Sequence, residues 1–456
     1  MKARLAAIAS LVAALVLNAA ADLDLLDLFM KSETWRQDAN AFVMANRRFG
    51  FAFTDSSRTA ALSSDPLVIA FGAQLAYEAR VFWKDGKMSR VEISLYNKGD
   101  ALRHRHLDWA GFDELVRCAA GQLDGRLGKG TAGPSEKPAP KMFASSRKWD
   151  SRSPLALLQW AYSETPGKGG GFLAEYARVT FVPRTGTSAA DNAALTGRSI
   201  LVQPKSRAAL RKDIVRTAKG DVFIDGVPMV DQGAKGYCAA ATAERVLRHY
   251  GLLVDQHQVA QLAETGAASG TSFEGFSEAV RRIGRQFGLA EEVYVKSGGQ
   301  GDFSKSDVAD DIRDYNRVAK RKGLREIDWH DYSVPVGPRT LSIDVSAILG
   351  AMDPAILLEA RSAQRQRYDA FRRNVTKCVD DGVPLMWSCL VGLFPEVPDV
   401  PARGPFGHMR LVIGYNRATD ELLYSDSWGG AHAFKRMPMN QAWAMTRGLV
   451  ALRPRN

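Results

Sequence analysis

Cysteine is scarce in this chain. Among 456 residues there are four, Cys118, Cys238, Cys378 and Cys389. That excludes a disulfide framework as the main source of stability at this length. Long apolar runs are also missing, with one exception. Leu5 to Leu17 is apolar except for Ser10, follows Lys2 and Arg4, and precedes Ala19-Ala20-Ala21. This is the pattern of a secretory signal over residues 1–21, and the run is short for a membrane span. Export to a periplasmic or extracellular location is therefore expected, without stable membrane insertion. There is no internal repeat, which excludes solenoids and propellers. Lysine and arginine outnumber aspartate and glutamate, 61 to 50, for a formal charge of +11, or +9 without Lys2 and Arg4. The basic residues are interleaved with acidic ones and form no nucleic-acid-binding motif, so no nucleic-acid partner is expected.

What is present is ordinary globular material. Hydrophobic residues make up 46% of the chain, enough for two or three domains with their own cores. Residues 22–184 read as an α+β domain. Residues 23–31 and 33–46 are helix-like. Ala79–Trp83 and Arg90–Leu95 flank Asp85-Gly86, a hairpin turn signal. A helix is expected over 108–127, a Gly- and Pro-rich loop over 128–141, and strands over 155–162 and 172–183. His104 and His106 lie two apart on an extended segment, but no third ligand accompanies them, and no metal or cofactor is expected. Residues 185–220 read as a linker.

From Asp221 the character changes. Gln232-Gly233-Ala234-Lys235-Gly236-Tyr237-Cys238 runs directly into Ala239-Ala240-Ala241, a good helix former. A thiol is thus placed at the first turn of a helix expected to stop at Gly251. A helix N-terminus carries a partial positive charge, which favours thiolate. Taken alone, Cys238 reads better as a small buried hydrophobe on an Ala-rich helix. Further helices are expected over 256–264, from 273 to about 288, around 310–321, and from Pro354 to just before Gly382. Then come a strand over 384–391, a loop delivering His408, and two strands, 411–415 and 421–425, leading to Asp426. Nucleophile, base and carboxylate in this order are what thiol acyl chemistry uses. His432 competes with His408 for the base, but a strand separating base from carboxylate lets their side chains converge. Trp428 either shields the histidine–carboxylate bond or is ordinary core. A reversal at Gly382-Val383-Pro384 could bring Cys378 and Cys389 together as one disulfide, and two buried free thiols explain the same residues equally.

These residues carry a resemblance. Gln232 six residues before Cys238 at a helix start resembles the opening of papain-like cysteine peptidases. Residues 408–416 are similar to their histidine strand, and Asp426-Ser427-Trp428-Gly429 to their Asn-Ser-Trp-Gly segment. Aspartate stands where papain has asparagine. Gly270-Thr271-Ser272 resembles the bacterial branch related to bacteriocin leader-processing peptidases. The resemblance covers residues 221–453. It implies a papain-like fold, a helical half followed by an antiparallel β half, behind the unassigned N-terminal domain: an α+β protein overall. It further implies a Cys238–His408–Asp426 triad, Gln232 as oxyanion donor, and a peptide or protein substrate. Peptide hydrolysis, acyl or amide transfer with the same triad, and silent peptide binding remain open.

Overall fold

Alternation of apolar and polar residues builds the first sheet. Glu78–Lys84 and Lys87–Asn97 pair as the expected hairpin, with Ala79, Val81, Val91, Ile93 and Leu95 fully buried on one side. The computed structural model describes residues 22–54, 58–64, 67–99, 107–133, 135–137, 142–151, 153–164, 171–184, 204–232, 236–252, 254, 256–263, 273–296, 306–337, 340–400 and 405–455. The signal-like segment 1–21, His104, His106 and Gly270–Ser272 lie outside them. The chain divides into two compact units, the first drawn from the N-terminal 200 residues and the second mostly from Leu201 onward.

In the first unit the hairpin belongs to an eight-stranded sheet. Leu155–Glu164 and Phe172–Val182 add to it at the expected places, and Met142–Trp149, which the sequence did not reveal, pairs with the former. Trp109–Leu127 forms a helix capped by Asp108, whose carboxylate accepts from the Gly111 N–H. The expected helix over 33–46 is broken: Asp38 caps a shorter one, Ala39–Asn46, by accepting from Ala41.

The second unit carries the motif residues. Part of the expected linker is structured here. Arg207–Arg211 is a short helix, and Ile214–Arg216 (β1) pairs with Asp221–Ile224 (β2). Cys238–His249 (α1) ends before Gly251, which takes φ +84°, the left-handed conformation suited to glycine. Phe273–Gln286 (α2), Leu289–Lys296 (β3) and Asp307–Arg321 (α3) follow. The expected single helix from Pro354 is two, Pro354–Ala363 (α4) and Arg365–Asp380 (α5). Gln364 between them bonds Asp311 at 3.1 Å and Asp314 at 2.8 Å on α3, a tertiary contact that local propensity does not reveal. Then come Leu385–Val391 (β4), Phe406–Asn416 (β5), Glu421–Ser425 (β6), Lys435–Pro438 (β7) and Thr446–Pro454 (β8). They form an antiparallel sheet in the order β1-β2-β5-β4-β8-β3, with β6 on β5 and β7 on β6. Gly414 allows the crossing of β5 and β2, since a Cβ there would fall 2.6 Å from the Val222 carbonyl oxygen. The protein is mixed α+β. Among the described residues no helix is long and apolar enough to cross a membrane.

Candidate functional site

Three elements converge on one point. Cys238 is the first residue of α1. Helix α1 is tied to β5 by Thr242, whose hydroxyl donates to the Met409 carbonyl at 3.2 Å. One face of β5 carries His408 and Arg410, two apart as strand periodicity requires. Asp426 follows the last residue of β6, and the pairing of Leu411 with Ser425 runs on to set Asp426 opposite Arg410. His408 therefore lies two residues inside the strand rather than at its start as expected, because Phe406 and Gly407 already pair with β4.

The contacts form one line. His408 Nε2 lies 3.0 Å from Asp426 Oδ1. The ring is close enough to Cys238 for each to shift the other's ionisation, and Nδ1 is the nitrogen available to face the thiol because Nε2 is committed to Asp426. Trp428 stacks on the imidazole, with centroids 4.0 Å apart and planes within 9°. It thus covers the histidine–carboxylate bond from that face. Gly429 follows at φ +87°, a turn that a side chain would strain. His432 meets Trp428 edge to face and offers its backbone carbonyl to the Asp426 N–H at 3.0 Å. It is the ring of His408 that takes the carboxylate.

Electrostatics follow from these contacts. Burial pushes the Cys238 thiol up, but the hydrogen bond and charge of His408, with backbone hydrogen bonds at Met409 and Ala239, bring it below the ordinary cysteine value. Burial pushes His408 down, and its bonds to Asp426 and Cys238 more than reverse this. Burial raises Asp426, yet Arg410, His408 and Lys435 take it down to about 2. A lowered thiol beside a raised imidazole favours a thiolate–imidazolium pair. The reaction rate of Cys238 with iodoacetamide is therefore expected to exceed that of an ordinary thiol at pH 6–7. It should fall on the acid side as the thiolate protonates and change again on the alkaline side as His408 loses its proton. A single titration at the ordinary thiol value, measured by mass spectrometry of the modified peptide, would exclude the pair.

Gln232 is anchored beside Asp426. Its Oε1 accepts from the Ser427 hydroxyl at 2.7 Å, and its N–H donates to the Ser427 carbonyl at 2.9 Å.

Behind the line lies a group that sequence reasoning missed. Arg410 is fully buried; its Nε lies 2.8 Å from Asp426 Oδ1, and its two terminal nitrogens bond Glu396 at 3.0 and 2.8 Å. Glu396 also accepts from Tyr424 at 2.8 Å and Lys435 at 2.9 Å. Lys435 Nζ is 3.6 Å from Asp426 Oδ2. Arg245, also buried, joins α1 to the carboxylate segment: it donates to the Asp426 carbonyl at 2.8 Å and to Ser425 Oγ at 2.6 Å. Arg410 is a lone charge within a strand-like stretch and so carried a signal, whereas Lys435, followed by Arg436, and Glu396 did not.

Of the two alternatives for Cys378 and Cys389, the structure has two buried free thiols and no disulfide. Cys389 lies directly across β4 from His408, while Cys378 on α5 faces Tyr294 at 3.4 Å and Arg453 at 3.1 Å. The reversal at Gly382 leaves the two thiols in different surroundings.

Comparison with solved structures finds a similarity to xylellain, a cysteine protease from Xylella fastidiosa. It has 14% identity, spans 57% of this chain and 92% of that one, and has a TM-score of 0.24. No family model matches the chain, and no curated protein matches it.

Proposed function

We propose that this protein is a cysteine peptidase of papain-like fold that hydrolyses peptide bonds through Cys238, His408 and Asp426. The observation that carries the reading is the line of contacts from a helix-start thiol through a buried imidazole to a buried carboxylate. The Cys238 thiolate attacks the peptide carbonyl carbon, forming the S–C bond and an oxyanion. His408 gives its proton to the amine as the C–N bond breaks. Water then attacks the thioester while neutral His408 takes its proton, and the acid leaves as the thiolate returns. Asp426 holds the imidazole tautomer throughout. Gln232 and the Cys238 backbone N–H receive the oxyanion. The segment from Lys2 to Ala21 supports export.

The test is labelling of Cys238 by a covalent thiol probe, alongside hydrolysis of a peptide library with and without added amines. Hydrolysis blocked by the probe supports the peptidase reading. Amine-containing products in place of acids would make it a transferase. Labelling without turnover would make it a binding domain.

Gln232→Ala is expected to lower kcat about 10²–10³-fold, the usual cost of one oxyanion donor, while leaving probe labelling of Cys238 unchanged. Labelling that falls in parallel would give Gln232 a purely structural role.

A further inference from the structure

The carboxylate of Asp426 is not alone with the imidazole. The same oxygen that meets His408 Nε2 at 3.0 Å meets Arg410 Nε at 2.8 Å, and the other oxygen faces Lys435 at 3.6 Å. Those two cations share Glu396, itself buried and bonded by both. Two carboxylates and two cations thus make a closed set with no net charge, sealed beneath the site. Arg410 also lies 4.9 Å from the Tyr424 ring centroid and under 6 Å from those of Trp387 and Trp428, which keep water away.

We propose that Glu396, Arg410 and Lys435 are positioning residues that balance the charge of Asp426, so that it acts on His408 as an orienting acceptor with little net field. A naked buried aspartate would hold the imidazolium proton too firmly for His408 to release it to a leaving group. A neutral amide at this position would orient without that cost. Here the aspartate is kept and its charge is offset from behind. The inference rests on the peptidase reading for its significance but not for its measurement.

The remaining groups facing His408 do not disturb the balance. Cys389 on β4 stays a thiol, because burial raises it. Burial keeps Tyr424 a phenol and favours neutral His432. Arg245 meets Asp426 at its backbone carbonyl, away from the carboxylate. Cys238 contributes its own thiolate and is removed in the test.

The experiment is an NMR titration of the His408 imidazole in the full chain carrying Cys238→Ala, with ¹⁵N-labelled histidine. Arg410→Met removes a cation and is expected to raise the His408 pKa by about one unit, the scale of one nearby charge. Glu396→Gln removes an anion and is expected to lower it by a similar amount. If Arg410→Met does not fold, Lys435→Met replaces it, again with a rise expected. A group that merely held Asp426 in place would let the contact loosen in every variant, and the pKa would fall in all of them. Shifts of one sign, or none, would overturn the proposal. Failure of the peptidase reading would be seen separately, as a wild-type chain that neither labels nor hydrolyses.

Discussion

Cys238→Ala is expected to abolish peptide hydrolysis and probe labelling while the fold persists. The loss should be on the order of 10⁴–10⁶-fold in kcat, as for removal of a nucleophile from a cooperating set. His408→Ala should approach the same floor, because the thiolate then loses the proton acceptor that lowers it. Stability should hardly move, by less than about 1 kcal/mol. Alanine suits the position, where α1 continues Ala239-Ala240-Ala241, and the residue as a whole is only half-buried. Turnover with purified variant and wild-type protein, with circular dichroism as the control, decides it. Undiminished hydrolysis by the alanine variant would end the assignment.

Arg410→Ala is expected to give the largest loss of stability of any single change at the site, about 3–5 kcal/mol. The cost is not a lost contact alone. Asp426 and Glu396 would be left buried with only Lys435 between them as a cation, and an uncompensated buried charge is far costlier than an exposed one. The comparison is Arg117→Ala in the other unit. Arg117 pairs with Asp113 at 2.9 Å on an exposed helix face, and such a pair is worth about 0.5 kcal/mol or less. The readout for Arg410 is the urea concentration at which Cys238 loses its reactivity, which follows the unit that carries the site. A midpoint within error of wild type would mean that Glu396 and Asp426 find water or another partner.

The elements that were legible in the sequence were those decided locally. Asp85-Gly86 marks a hairpin by its backbone preference. Gly251 stops α1, and Asn416 to Asp420 turns β5 into β6, because each sets its own dihedral angles. The break at Gln364 was not legible, since no glycine or proline is there, and the cause is a pair of aspartates on α3. Strand β8 was missed for a related reason. Its apolar run, Leu449 to Leu452, is as compatible with a buried helix as with a strand, and only its place between β4 and β3 decides. At the site, the order of Cys238, His408 and Asp426 was readable, and the structure brings those three side chains together. Of the charges behind them, only Arg410, alone in an apolar stretch, carried a sequence signal. Glu396 sits in a loop rich in proline, where a glutamate suggests solvent, and only the fold turns it inward to Arg410.

Thr242 and Met409, the pair that clamps α1 to β5, lie 167 residues apart in the chain. Strand β8, which follows the other strands of this sheet in chain order, is interior to the sheet and pairs on both sides. A growing chain therefore carries Cys238 long before it carries the imidazole, and carries both before the sheet can close. Until then the sulfur is an ordinary thiol with no paired base.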